Sequence, residues 1–289
     1  MIATAERQTV CWLDMRLAVP ADWEIVRHST KGEQGRLVLI DRRAQRMQLS
    51  WLAVERPPDI AHMLEDQKSR DLEDDDTSNI DNIDRVGRWR GYRALSDDRR
   101  VTRAAWYDQT RRRLIEIVLT WPDEVDRALE RELLDSFECP LEPKGESHWQ
   151  AFGLDVTAPA EWDMEKVTAK VADSVFRFRR DRAEAILRRR GMTDEWFSGS
   201  VRGLVEEELD KGVVKTEDTR HRGHPACYSE SREQVSRFRR ISGQARVRRD
   251  LVWHCPESRA VFRVTTLSRR REPVMPSAFD LRCCGEVAA

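Results

Sequence analysis

The sequence contains two copies of one pattern, and this internal repeat limits the possible folds more than any other feature. The first copy reads MRLAVPADWEI and the second reads LDVTAPAEWDM. The Pro-x-x-Trp element recurs at a spacing of 139 residues, first at Pro20 and Trp23 and again at Pro159 and Trp162. Self-similarity of this kind indicates repeated structural units. We therefore predict two similar domains that arose by internal duplication.

Further matches follow in the same order along both copies. They are Leu37 with Phe176, Leu39 with Phe178, Arg43 with Arg182, Gly91 with Gly223, Trp106 with Trp253, and Phe137 with Phe279. A length of 289 residues suits two domains of about 140 residues each. The polar stretch PLEPKGESH has the composition of a domain joint. The predicted organisation is domain 1–142, linker 143–148 and domain 149–289.

Each copy predicts the same order of elements. A short strand leads into the Pro-x-x-Trp turn, and a two-stranded hairpin follows it. A helix begins near Ile60, and antiparallel strands and a final helix at 123–137 complete the first copy. In the second copy Pro273 and Pro276 restrict the final helix to 277–283. This order predicts an α+β fold of two tandem antiparallel-sheet α/β/α sandwich domains related by internal duplication.

The segment at residues 19–23, VPADW, resembles the start of the PsbP-like fold. That family includes the extrinsic oxygen-evolving proteins of photosystems, the Ran-binding Mog protein of nuclear import, and bacterial DcrB-like proteins. Some bacterial relatives are small chaperones that hold type VI secretion effectors. The resemblance covers nearly the whole chain, although the second copy inserts Ala158 before Pro159. It implies a binding or chaperone-like protein, and it carries over no binding residue because only the structural turn matches.

Composition and motifs exclude several other classes of protein. No apolar run approaches the ~18 residues that cross a bilayer, and the N-terminus lacks the pattern of a secretory signal. Six cysteines are too few for a disulfide scaffold in a chain of this length. The nucleophile elbow, the phosphate loop and the dinucleotide fingerprint do not occur. We therefore expect a cytoplasmic protein that is not an enzyme, makes no membrane contact and needs no cofactor.

One group of residues suggests an alternative to a protein without a cofactor, namely a protein that binds a metal ion. His221, His224 and Cys227 are spaced by three residues each, and Cys255 follows on the predicted neighbouring strand. Four Cys or His ligands at such spacing are typical of structural zinc sites. The competing interpretation is that Cys227 is a small core residue. The sequence leaves both readings open, together with an enzyme built on this C-terminal His/Cys group.

The distribution of charge offers a second alternative. The net charge is only −1, but residues 59–85 carry ten acidic and three basic side chains, and residues 220–271 carry fourteen Arg and four acidic side chains. Arginines interleaved with aromatic residues over 237–271 resemble a surface for single-stranded nucleic acid. The competing interpretation is a sheet face whose arginines pair with acidic side chains. We consider nucleic acid the less favoured partner.

Taken together, these observations predict a non-enzymatic cytoplasmic adaptor or chaperone-like protein. Its partner is another protein of unknown identity. The alternatives are a zinc protein or enzyme using the C-terminal His/Cys group, and a nucleic-acid binder using the Arg-rich sheet.

Overall fold

A computed structural model describes residues 6–73, 77–96, 100–141, 145–208, 213–232 and 246–284. The chain divides into two compact units, residues 1–141 and 142–289. Strands contain 57% of the described residues and helices 16%. Among the described helices, none is long and apolar enough to span a membrane.

The described part of the first unit contains nine strands and two helices. They are β1 (Arg7–Trp12), β2 (Met15–Pro20), β3 (Glu24–Arg27), β4 (Gln34–Ile40), β5 (Gln45–Ala53), α1 (Ile60–Glu73), β6 (Thr77–Val86), β7 (Trp89–Ser96), β8 (Arg100–Asp108), β9 (Arg113–Trp121) and α2 (Arg127–Ser136). Strands β1 and β2 form a hairpin. The other seven form an antiparallel sheet in the order β3-β4-β5-β9-β8-β7-β6.

The sheet of the first unit is covered on both faces. Because successive side chains of a strand point to opposite faces, Tyr92 packs beneath Leu64 of α1, whereas Trp89 lies on the other side. The indole of Trp89 packs edge-on against Phe137, with ring centroids 5.2 Å apart, and its N–H donates to the carbonyl of Leu134 in α2 at 2.9 Å. Helix α2 begins at the cap residue Asp126, whose carboxylate accepts two backbone N–H bonds.

Within its described residues, the second unit contains ten strands and two short helices. They are β10 (Glu146–Ala151), β11 (Leu154–Pro159), β12 (Asp163–Lys170), β13 (Asp173–Arg180), β14 (Ala183–Arg190), α3 (Thr193–Trp196), α4 (Val201–Glu208), β15 (Val213–His221), β16 (His224–Arg232), β17 (Arg246–Cys255), β18 (Ala260–Arg269) and β19 (Asp280–Arg282). Seven form an antiparallel sheet in the order β12-β13-β14-β18-β17-β16-β15. This order is equivalent to that of the first unit. Strand β11 pairs with both β10 and β19.

The second sheet is also covered on both faces. Val201 and Val205 of α4 pack on Cys227 on one face. On the other face, Phe279 lies against Trp162, with ring centroids 5.1 Å apart, and against Phe178 at 5.7 Å. The chain that follows β18 therefore closes the second face of this sheet.

The expected fold class is wrong. The protein is predominantly β, not a pair of α+β sandwiches with a helical layer on each face. Four segments that the sequence did not assign, β1, β3, β10 and β12, are strands. The predicted second-copy helix at 277–283 is instead a single 3₁₀ turn at Pro276–Ala278 followed by strand β19. Short polar strands account for this error, because they show little of the alternation that identifies a strand.

A buried ion pair joins α2 to the first sheet. The Arg93 guanidinium donates to both oxygens of Glu130, with nitrogen–oxygen distances of 2.6–3.1 Å, and only 2% of the Glu130 side chain is exposed. The Thr102 hydroxyl also contacts Glu130, and the Trp121 indole N–H donates to that hydroxyl at 3.0 Å. Arg93 also pairs with the partly exposed Asp81 at 2.9 Å, so removing Glu130 takes away the buried partner of Arg93 and leaves the surface one.

We expect Glu130→Gln to lower the free energy of unfolding of the first unit by about 1–3 kcal/mol, because Arg93 loses its buried carboxylate and keeps only the partly exposed Asp81. Urea denaturation followed by tryptophan fluorescence measures the loss. Glu132→Gln is the matched control, since Glu132 lies on the same helix and pairs with Arg7 at the surface. That change should cost only about 0–1 kcal/mol. Equal losses in the two variants would contradict the proposed role of burial.

Candidate metal site

A tight hairpin and strand pairing bring His224 and Cys255 together. Strands β15 and β16 are joined by a two-residue turn at Arg222 and Gly223, both with positive φ, 47° and 78°. This is the backbone geometry that suits a right-twisted hairpin. Strand β16 pairs with β17 so that Ala226 lies opposite Trp253. The same antiparallel register, continued by two residues, sets His224 opposite Cys255.

The end of the second unit brings two further thiols to the same place. Strand β19 pairs with β11, with Leu281 opposite Val156, and Leu281 is fully buried. The Arg222 guanidinium at the β15–β16 turn forms an ion pair with Asp280. Cys283 and Cys284 follow β19 directly and therefore lie beside the β15–β16 turn.

These four residues, His224, Cys255, Cys283 and Cys284, are named here the Cys/His cluster. Their ligand atoms all lie within 4.8 Å of one another. The Nε2 atom of His224 is 3.3 Å from the Sγ atom of Cys284, and the sulfurs of Cys283 and Cys284 are 3.7 Å apart. A tetrahedral zinc ion with Zn–S near 2.3 Å and Zn–N near 2.0–2.1 Å places its ligands about 3.5–3.8 Å from each other. The two separations of 3.3 Å and 3.7 Å are close to that arrangement, and the remaining ones are within 4.8 Å.

The three thiols of the cluster share their protons unequally. Burial favours the neutral thiol of Cys255, but nearby donors of Ser258, Cys284 and Cys283 outweigh it and lower its pKa, although the Ser258 hydroxyl does not reach hydrogen-bonding geometry. Burial raises the pKa of Cys283, and burial with hydrogen bonds to its neighbours raises the pKa of Cys284 to about 12. The pKa of the fully buried Cys255 is thus shifted in the opposite direction from those of its two neighbours. Zinc binding requires all three thiols to lose their protons.

Of the four ligands proposed from the sequence, the structure brings two together. His224 and Cys255 belong to the cluster. His221 lies on the same face of the sheet, but its ring packs on Trp253 at 4.3 Å between centroids and it hydrogen bonds to the backbone of Leu281. Burial lowers the pKa of His221. This residue supports the cluster from the side and does not belong to it.

Cys227 lies on the other face of the sheet, away from the cluster. It follows Ala226, which shares its face with His224, so strand alternation turns the Cys227 side chain toward α4. There it is fully buried in an apolar group with Val201, Val205, Val252 and Val261. Burial raises the pKa of this thiol. Its surroundings are those of a small core residue.

Cys283 and Cys284 were the cluster residues that sequence reasoning did not include among the ligands. The alternation of Phe279 and Leu281 is the signal that could have indicated an ordered strand before them. That signal covers only three residues, and the pairing of β19 with β11 joins positions 125 residues apart in the chain. Such long-range pairing is not encoded in local pattern.

In the first unit, an arginine contacts the chain segment that follows Phe137. Asp108 at the end of β8 occupies the place that Cys255 occupies at the end of β17, since each is the last residue of its ladder with the next strand. Asp108 holds Arg111 at 3.1 Å, and Arg111 donates to the backbone carbonyls of Cys139, at 3.0 Å, and Pro140. The chain after Phe137 is thus held by an arginine, and the chain after Phe279 carries two thiols of the Cys/His cluster.

The Arg-rich strand β17 is engaged by acidic side chains of its own unit. Arg246 pairs with Glu184 at 2.7 Å, Arg248 with the buried Asp250 at 2.7 Å, and Arg249 with Glu230 at 3.1 Å. The aromatic rings of Trp253 and Phe262 stack on each other in the core and are at most 1% exposed. The predicted positions Arg237, Phe238, Arg239 and Arg240 lie outside the described residues.

Comparisons with known proteins give little further information. No family model and no curated protein matches the sequence. Among solved structures, the apo immunity protein TplEi of the T6SS from Pseudomonas aeruginosa matches with a TM-score of 0.37 and 11% identity, covering 99% of this chain and 100% of that one. The same protein complexed with "L" peptide matches with a TM-score of 0.38 and 10% identity, covering 92% and 88%. TM-scores below 0.5 do not establish a shared fold, so these similarities carry no argument.

None of the comparisons supports a PsbP-like fold or a tandem repeat of such domains. The resemblance of the VPADW segment to that family remains an untested prediction.

We expect the thiols of the metal-free native protein to differ in reactivity. Cys283 and Cys284 are half-buried and should be alkylated by iodoacetamide while the protein is folded, slowly because their raised pKa values keep the thiolate fraction low. Cys227 and Cys255 are fully buried and should react only as the second unit unfolds. Peptide mass spectrometry over a time course measures each rate. Equal rates for Cys227 and Cys284 would contradict this placement of the side chains.

Proposed function

We propose that the Cys/His cluster binds one zinc ion, which fastens the end of the second unit to its sheet. The observation that carries this proposal is the convergence of three thiols and one imidazole within 4.8 Å. The donors come from three separate parts of the chain: strand β16, the end of β17 and the segment after β19. An ion that joins them cross-links residues about 60 positions apart in sequence, as His224 and Cys284 are. The cross-link would hold β19 in place.

The chemistry of the donors favours zinc over other metals. Thiolates are soft ligands that select Zn²⁺, Cu⁺ and iron–sulfur clusters, whereas Mg²⁺ and Ca²⁺ prefer oxygen. Three Cys and one His form one of the standard tetrahedral zinc sets. The indole N–H of Trp253 faces Cys283 and favours its thiolate form without reaching hydrogen-bonding geometry. A donor of this kind, near a ligand sulfur, is a common outer partner of a metal site.

The same coordination set supports a role other than catalysis. Catalytic zinc sites have three protein ligands and leave a fourth position for water or substrate. Four protein ligands complete the tetrahedron, so an ion in this cluster stabilises the fold and has no position for a substrate. We therefore propose that the protein acts by binding another protein, with the zinc ion holding the second unit in its binding-competent form.

Nucleic acid is the less favoured partner, because the arginines of β17 are already paired with carboxylates. A phosphate that approaches β17 must displace the carboxylates that already engage Arg246, Arg248 and Arg249. Aromatic rings for base stacking are also buried on this strand, as at Trp253. These contacts support the interpretation of an internally paired sheet face.

We expect the purified full-length protein to contain close to one zinc ion per chain, measured by inductively coupled plasma mass spectrometry. Cys255→Ala should remove the ion, because it deletes the buried central sulfur. Cys227→Ala is the matched control: it removes a buried cysteine from the neighbouring strand on the opposite face, so zinc should be retained. Cobalt substitution should give the visible absorption bands of a tetrahedral thiolate site.

A second variant separates loss of zinc from loss of folding. His224→Ala removes a half-buried ligand at a hairpin end and should also abolish high-affinity zinc binding, with the far-ultraviolet circular dichroism of the sheet retained. Wild-type protein that folds without zinc, and does not take up zinc or cobalt, would overturn the proposal.

We expect only weak binding of single-stranded DNA or RNA at about 0.15 M salt, because the arginines of β17 are already paired. Fluorescence anisotropy of labelled oligonucleotides measures this binding. Affinity below micromolar that falls steeply with added salt, and that is lost in a quadruple Ala variant of Arg239, Arg240, Arg248 and Arg249, would favour the nucleic-acid alternative.

A further inference from the structure

The Cys/His cluster holds three thiols close enough to react with one another. The Cys283 and Cys284 sulfurs are 3.7 Å apart, and the Cys255 sulfur lies within 4.8 Å of both. Cys283 and Cys284 are half-buried, while Cys255 is fully buried. The cluster therefore has an accessible side and a protected side.

We infer that the Cys/His cluster is also a reversible oxidation site, at which a peroxide joins Cys255 to one of the adjacent cysteines in a disulfide and releases the zinc ion. The inference rests on the proposed zinc site and names how that site is regulated. The oxidant is hydrogen peroxide or an organic hydroperoxide.

Geometry determines which sulfurs are joined. Consecutive Cα atoms are 3.80 Å apart across a trans peptide, whereas disulfides usually need Cα atoms about 4.4–6.8 Å apart. A bond between Cys283 and Cys284 is therefore strained, and no cis peptide bond occurs in the described chain. Cys255 comes from a separate strand and is free of that restriction. It bonds to Cys283 or Cys284.

The reaction proceeds in two balanced steps. The thiolate of the half-buried cysteine attacks one oxygen of hydrogen peroxide, which gives a sulfenic acid and hydroxide. The thiolate of Cys255 then attacks the sulfenic sulfur, forms the sulfur–sulfur bond and displaces a second hydroxide. The two thiolates together lose two electrons, and the peroxide gains them. Only His224 and one thiolate remain as ligands, so the zinc ion dissociates.

Loss of the ion alters what holds the C-terminal segment. The new disulfide still links β17 to the residues after β19, but His224 loses its link to that segment. The β15–β16 turn keeps its contact through Arg222 and Asp280. Oxidation would therefore loosen the hairpin end formed by β15 and β16 while the core around Phe279 stays closed. Thiol reduction and added zinc restore the original state.

The experiment treats zinc-loaded, full-length protein with hydrogen peroxide and follows zinc release with a colorimetric chelator. We expect release of one zinc per chain together with the loss of two hydrogen atoms per chain, measured by intact mass against the reduced metal-free protein. Peptide mapping should find Cys255 joined to Cys283 or Cys284. Dithiothreitol followed by zinc should return both the mass and the metal content to their starting values.

Cys139→Ser is the matched control, because Cys139 is a half-buried thiol of the first unit outside the cluster. This variant should release zinc and lose two hydrogens as the wild type does. Zinc-loaded protein that keeps its ion under peroxide, or that loses it without a disulfide to Cys255, would overturn this inference and leave the zinc site standing. Protein that binds no zinc would overturn the proposed function and this inference together.

Discussion

Both units depend on the burial of one face of a seven-stranded sheet by the chain segment that follows its last long strand. In the first unit this segment is α2, which brings Phe137 against Trp89. In the second unit it is a single 3₁₀ turn and a three-residue strand, which bring Phe279 against Trp162. Burying one phenylalanine contributes about 1.5–3 kcal/mol. A helix adds its own hydrogen bonds to that burial, whereas the short segment of the second unit adds few.

The two units also differ in the side-chain contacts made at this closing segment. Arg111 makes charge-assisted hydrogen bonds to Asp108 and to two backbone carbonyls, and such bonds contribute about 1.5–3 kcal/mol each. A structural zinc site contributes far more, with apparent binding free energies of about 10–16 kcal/mol in zinc-finger peptides. The weaker closing segment is thus the one that carries the stronger candidate cross-link. A zinc ion at the cluster would compensate for the absence of a second α2.

The sequence predicts the central strands because their alternation is strong, as in β9, where Ile115, Ile117 and Leu119 are buried in turn. It does not reveal β12, an edge strand whose side chains are mostly exposed. Aligned glycines can also mislead. A Cβ on Gly91 would lie 2.1 Å from the carbonyl oxygen of Arg103 on the neighbouring strand, whereas Gly223 serves a hairpin turn with φ of 78°. The two matched positions therefore need glycine for unrelated reasons.

The residues of the candidate site are likewise predictable from the sequence only in part. Alternation alone places His224 and Cys255 on one face and Cys227 on the other, so half of the ligand set follows from strand periodicity once the register is known. The positions of Cys283 and Cys284 depend on β19 meeting β11, which is a tertiary event.

Ion pairing within the second unit also bears on how a partner is recognised. Arg246, Arg248 and Arg249 each have a carboxylate beside them, and the chain as a whole carries a net charge of −1. Opposite charges held a few ångströms apart produce a field that falls off within roughly one Debye length, about 8 Å at physiological salt. Such a surface steers a charged partner weakly from a distance. In the proposed protein-binding role, recognition would then rely on shape and on contacts made at close range.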